Sequence, residues 1–112
     1  IVQIESEKAI RNIDAIASVD GVDACYIGPN DLSGTLGCFR QWDHPDLQKA
    51  IDTAFAGIQR AGKAAGIVAY GKHTVASLFN QGYTMIANGT ELTLMRGAAQ
   101  AEIAQIRKAI GN

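Results

Sequence analysis

The chain has 112 residues, 47% of them hydrophobic and 19% charged, with a formal net charge of -1, which is the make-up of one folded domain around one core. That balance, with no run of Lys or Arg, gives no electrostatic footing for nucleic acid or an anionic membrane as the main partner, and the apolar runs fall far short of the roughly 20 residues that span a bilayer. Cys25 and Cys38 have neither CxxC nor zinc-finger spacing, so they point to no metal clip or disulfide framework, and with no leader-like opening a soluble, reduced, cytoplasmic setting fits.

Ile1 to Gln3 are β-prone and run into Glu5-Ser6-Glu7, an acidic opening that suits the positive end of a helix. The spacing of Ile10, Ile13, Ile16 and Ala17 predicts one apolar helix face, ended by Asp20-Gly21. Ala24-Cys25-Tyr26-Ile27 is a short unbroken apolar strand of the kind found where both faces of a parallel sheet are covered, and Cys25 within it reads as a small core residue. Gly28-Pro29-Asn30-Asp31 breaks that strand, and the stretch through Gly37 to His44-Pro45 is expected to be the longest irregular loop.

Leu47, Ile51, Ala54, Phe55 and Ile58 form a helical stripe that runs to about Ala61, with Gly62 as its stop. Gly66 to Tyr70 is the next strand, Val75, Leu78 and Phe79 mark a shorter helix ending near Gly82, and Thr84 to Ala87 is a fourth strand. The last helix carries Ala99, Ile103, Ile106 and Ile110 at helical spacing and stops at Gly111. Strands that alternate with helices, and that are apolar throughout, predict an α/β fold of about four parallel βα units. A closed (β/α)8 TIM barrel takes about 250 residues, so this length suits one half-barrel domain over residues 1–112. Such a half has open edges, and it is expected to pair with a missing N-terminal half or to self-associate.

Working residues of parallel α/β folds gather at the C-terminal ends of the strands, where Glu5 and Asp31 stand. Two hard oxygen donors without Cys or His suit Mg2+ or Mn2+ better than zinc. Spacing alone leaves a plainer reading open: Glu5 as a helix-opening acid, Asp31 closing an Asx-type turn, and Gln3, on the same strand face as Glu5, as a structural hydrogen-bonding residue.

Val2-Gln3-Ile4-Glu5, then Ala9, Asn12 to Ile16 and Val19 to Asp23, then Tyr26-Ile27-Gly28-Pro29-Asn30-Asp31-Leu32-Ser33, Gly37, His44-Pro45, Gly62-Lys63 and Gly66-Ile67 together resemble the HpcH/HpaI aldolase/citrate lyase family over nearly the whole chain. The resemblance implies the C-terminal half of a TIM-barrel lyase: a metal-dependent class II aldolase that makes or cleaves a C–C bond between pyruvate and an aldehyde through a metal-bound enolate. It implies Glu5 and Asp31 as ligands of Mg2+ or Mn2+, with Gln3 hydrogen-bonding in the outer shell. Asn30 and Asp31 would bind the pyruvate carboxylate through their backbone N–H groups in the turn that starts at Gly28, with Val68 as a pocket wall by analogy. A homo-oligomer, a hexamer that exchanges its last helix between subunits, is also implied.

Three departures stand beside the match. Asn30 replaces a usually small residue, Asn88-Gly89-Thr90-Glu91 replaces Val-Gly-Val-Asp, and Cys38 to Asp43 replace a loop that usually contains Gly and Asn. The family's catalytic His, its Asp and an Arg belong to the first four strands, so no catalytic residue is assigned here. His44 is expected to be a helix-entry element, His73 a solvent-facing residue at a helix start, and Arg40 and Trp42 either cover a pocket or belong to an ordinary surface loop. The same residues leave room for a CoA-thioester or citramalate-type lyase, or for a half-barrel that has no catalysis of its own.

Overall fold

The computed structural model describes residues 1–111. Its elements in chain order are strand β1 (Val2–Ile4), helices α1 (Glu7–Arg11) and α2 (Ile13–Ala17), strand β2 (Ala24–Ile27), helices α3 (Pro29–Thr35) and α4 (Pro45–Arg60), strand β3 (Ala64–Val68), helix α5 (Val75–Gln81), strand β4 (Met85–Ala87) and helix α6 (Glu91–Ala109). The strands form one parallel sheet in the order β1-β2-β3-β4. Sequential order without a reversal is what right-handed βαβ crossovers give as they progress around a barrel. The α/β class and the four-unit architecture are therefore as the sequence predicts.

The two faces of the sheet differ. Ile4, Cys25, Ile27, Ala65 and Ile67 alternate onto the helix-covered face and are buried together with Ile13, Ala17, Leu32, Leu47, Ile51, Ala54, Ile58 and Leu78. Cys25 lies in this core, where burial pushes its thiol pKa up. On the opposite face Tyr26, Gly66 and Met85 stand in one register row. A Cβ on Gly66 would come within 2.5 Å of Met85 Cε and 2.6 Å of Tyr26 Cδ2, so these two large side chains fill the space above the glycine. Gln3, Val68 and Ala87 share this face but remain partly or fully exposed.

Local structure departs from the sequence expectation in several places. The first helix is two short ones joined at Asn12, whose side-chain amide donates to the Lys8 carbonyl at 2.8 Å and so takes up a helix-end acceptor. Ser6 caps its start by accepting from the Ala9 N–H. The stretch after Gly28 is not irregular throughout. Pro29 occupies the first turn of α3, where its fixed φ and missing N–H cost nothing, and Leu32 and Ser33 are buried.

β3 lies two residues earlier than expected, because the chain turns at Gly71 and Tyr70 leaves the sheet to form an isolated bridge with His73. α6 begins at a reciprocal cap between Thr90 and Thr93, and none of its residues is buried. No helix among the described residues is long and apolar enough to cross a membrane.

Candidate functional site

Because the strands are parallel, their C-terminal ends lie along one rim of the sheet. Ile4 pairs with Ile27, and the ladder closes with the Gly28 N–H donating to the Ile4 carbonyl at 3.0 Å. Glu5 therefore leaves β1 beside Gly28. A Cβ on Gly28 would lie 3.2 Å from both Cβ and Oε2 of Glu5 and 3.4 Å from Nε2 of Gln3. Gly28 has φ -103 and ψ 86, so no positive φ demands a glycine here; a Cβ would be a tight fit that Glu5 and Gln3 could admit only by giving a few tenths of an ångström.

Pro29, Asn30 and Asp31 form the first turn of α3, and the first bond into the helix is donated by the Leu32 N–H to the Gly28 carbonyl at 3.0 Å. The Asn30 and Asp31 N–H groups precede that bond and lack helical partners, as at any helix start. Asp31 is exposed and Glu5 partly so. Neither enters an ion pair among the described residues. Two carboxylates of this kind, one held against Gly28 and Gln3, could serve as hard donors to a divalent cation. Among the described residues no cluster of three His, Cys, Asp or Glu side chains forms a fuller metal cage.

Beside this turn, a cleft of 380 Å³ opens over the ends of β3 and β4, lined by Asn30, Arg40, Trp42, Val68, Tyr70 and Thr90 among others. Of the residues singled out in the sequence, the structure brings Asn30 and Val68 to this cleft, and it brings Gln3 and Glu5 together against Gly28. Asp31 lies one position beyond Asn30 on α3. Arg40 and Trp42 both line the cleft, Arg40 as an exposed loop residue and Trp42 partly buried.

The cleft's far wall is an aromatic stack. Trp42 meets Tyr70 edge-on at 5.7 Å, and Tyr70 stacks on His73 at 4.5 Å. Gln48 ties the two segments by donating to the Trp42 carbonyl at 2.6 Å and to the Tyr70 hydroxyl at 3.4 Å. Burial pushes the Tyr70 hydroxyl pKa up, so it stays protonated. Lys72 and Asp43 pair at 2.6 Å across the same two loops.

His44 caps α4, accepting from the Asp46 N–H, the helix-entry role that the sequence predicts. His73 is not the solvent-facing residue expected. It precedes the Thr74 cap of α5, it is partly buried, and its Nε2 is buried without a partner. Tyr70 and His73 were invisible as a pair in the sequence because a turn at Gly71 brings them together. The one available signal was the alternation of Gly66, Val68 and Tyr70 along one strand face.

A family model described as HpcH/HpaI aldolase/citrate lyase matches residues 1–98. The chain is 40% identical over 100 residues to a 5-keto-4-deoxy-D-glucarate aldolase of Escherichia coli O6:H1, a match covering 89% of this chain and 39% of the relative. A crystal structure of a HpcH/HpaI aldolase/citrate lyase family protein from Burkholderia cenocepacia J2315 superimposes with a TM-score of 0.88 at 29% identity, covering 95% of this chain and 41% of that one. The HpcH/HpaI aldolase from Desulfitobacterium hafniense DCB-2 gives a TM-score of 0.84 at 28% identity, covering 94% of this chain and 41% of that one. The chain thus spans about two fifths of the length of these relatives, the share expected of half a barrel.

Proposed function

The chain belongs to the HpcH/HpaI aldolase/citrate lyase family, and from that premise we propose that it provides the cation- and pyruvate-binding half of a class II 2-oxo-acid aldolase. The observation that carries the reading is the packing of Glu5 and Gln3 against Gly28, directly ahead of Asn30 and Asp31. Gly28 lets Glu5 and Gln3 pack closely where two adjacent parallel strands end. That is the place where such folds assemble their chemistry.

Glu5 and Asp31 would hold Mg2+ or Mn2+, which when bound supplies Lewis-acid stabilisation of the negative charge that develops on the keto oxygen of pyruvate. The Gln3 amide, against the same glycine, would hydrogen-bond in the outer shell of that ion. The Asn30 and Asp31 N–H groups receive the pyruvate carboxylate, aligned by the first turn of α3. Gly28 leaves the room these groups need, and Val68 bounds the cleft where the aldehyde half lies. No general acid or base is assigned within this chain. The reaction joins pyruvate to an aldehyde, or cleaves a 4-hydroxy-2-oxo acid into the two.

The exposed apolar stripe of α6 fits self-association as a homo-oligomer, with a hexamer the expected form. Two buried free thiols fit a reducing cytoplasm.

The test is pyruvate release by the complete protein supplied with Mn2+ or Mg2+ and a 4-hydroxy-2-oxo acid. Glu5→Ala and Asp31→Ala are each expected to lower kcat/KM by about a thousandfold, the several kcal/mol that a metal Lewis acid contributes. Release that is independent of added cation, or unchanged in both variants, would overturn the reading.

A further inference from the structure

The turn that carries Asp31 has little of its own to hold it. Helix α3 is seven residues long, and helix ends fray. Asp31 is exposed and enters no ion pair among the described residues. What braces the turn comes from the loop that follows the helix. The Ser33 hydroxyl, on a fully buried residue, donates at 2.6 Å to the Asn30 carbonyl and accepts at 3.1 Å from the Arg40 N–H. The Arg40 Nε donates at 3.0 Å to Asn30 Oδ1. These bonds close a ring that begins and ends on Asn30, the residue directly before Asp31. The Cys38 N–H adds a backbone tie to the Ser33 carbonyl at 2.9 Å.

Arg40 is strained into this ring. It has φ 57 and is the one non-glycine with positive φ among the described residues, a left-handed conformation that crowds Cβ against a carbonyl oxygen. Such strain persists only where the surroundings over-determine it, and it gathers at functional sites. The guanidinium also lies over the Phe39 ring, with Cζ 5.6 Å from the centroid, within the range of a cation–π contact. With the backbone and Phe39 both fixing the stem, little rotamer freedom remains to be lost when Nε bonds Asn30. An exposed side chain can therefore keep a definite hydrogen bond here. Arg40 forms no ion pair with Asp31, so it does not compete with a cation for that carboxylate.

We infer that Arg40, acting through Asn30, is a positioning residue for the Asp31 carboxylate. This rests on the reading of Asp31 as a ligand of a divalent cation. A ligand on a fraying turn would have to be ordered at the moment the ion binds, which weakens affinity. The Asn30–Ser33–Arg40 ring orders that turn beforehand, as groups behind a metal ligand do.

Isothermal titration of the complete protein with Mn2+ tests this, with a thermal melt alongside. Arg40→Gly is the informative variant. Glycine accepts the positive φ, so the N–H bond to Ser33 is retained and the side-chain bond to Asn30 is deleted. The change is expected to weaken Mn2+ binding about three- to tenfold, less than the loss of a group bonded directly to a metal ligand, with a melting temperature close to the parent's. In an Asn30→Ala background the same change should have no further effect on Mn2+ affinity, because its partner is gone.

Unchanged or tighter Mn2+ binding in Arg40→Gly, or the same loss in both backgrounds, overturns the role of Arg40 and leaves the cation reading of Asp31 intact. A loss that comes with a large fall in melting temperature overturns it too, since Arg40 would then act on the fold. Absence of Mn2+ binding in the parent protein overturns both readings.

Discussion

A methyl group on Gly28 would meet Glu5 at 3.2 Å and Gln3 at 3.4 Å, so these side chains would have to give by a few tenths of an ångström. Its cost should therefore appear in the site rather than in the fold. Gly28→Ala is expected to weaken Mn2+ binding about ten- to a hundredfold, the usual effect of disturbing the groups that orient a metal ligand, with a melting temperature close to the parent's. Isothermal titration beside a thermal melt checks this, and unaltered Mn2+ affinity would contradict it.

A second residue-scale expectation concerns Asp43. Its hydrogen bond to Lys72, with that residue's charge, holds its carboxyl below the usual carboxylate range. A depressed acid contributes stability above its unfolded pKa and loses it as pH falls through the folded value. Because Asp43 is fully exposed, the visible effect is on the local titration. Lys72→Ala should raise the Asp43 midpoint in an NMR titration, and an unmoved midpoint would deny the pair.

Much at this scale was readable from the letters. Gln3 and Glu5 share a face by strand alternation, and Gly-Pro-Asn-Asp marks a turn. The bond from Arg40 to Asn30 spans ten positions and depends on one left-handed residue that no composition rule announces.

At the scale of elements, the long helix α4 was legible because Leu47, Ile51, Ala54 and Ile58 form a single stripe, and all four are buried. Helix α3 was not. The Gly28-Pro29 break and the stretch through Gly37 read as irregular, yet Pro29 occupies the first turn and Gly34 lies where a Cβ would meet nothing nearer than 3.8 Å. The crossing of α4 over α2 also depends on a glycine: a Cβ on Gly57 would fall 2.6 Å from Cγ2 of Ile13.

Gly57→Ala should therefore destabilise the complete protein by about 1–3 kcal/mol through overpacking against a stiff β-branched side chain, outweighing the gain of up to about 1 kcal/mol in helix propensity. Urea denaturation measures it. Pairing it with Ile13→Ala should cost less than the sum of the two single changes, and strict additivity would show that the contact does not limit the crossing.

For the whole molecule, the radius of gyration is 17.3 Å and the extents are 59 × 28 × 22 Å, against about 13 Å for a compact domain near this length. The excess fits α6, which buries no residue and leaves Leu92, Met95, Ile103, Ile106 and Ile110 exposed. With Ala99 between Met95 and Ile103, these positions recur at three- and four-residue steps, so they make one stripe. Helix and stripe were both legible in the sequence; what covers the stripe was not, because periodicity is the same for a helix on its own body and on a neighbour. If self-association covers it, Ile103→Glu with Ile106→Glu should shift the complete protein to a smaller species in light scattering, each apolar side chain contributing about 1.5–3 kcal/mol when buried. An unchanged mass would remove self-association through α6.

An isolated helix of this length is close to the coil boundary in water, where caps and propensity scarcely outweigh chain entropy. The Thr90–Thr93 cap starts α6 but cannot hold it throughout. Its order is then set by mass action: dilution should melt it, and binding of whatever sheathes it should restore it. Helical content of the isolated chain would in that case report occupancy, so that a circular dichroism signal becomes a binding isotherm.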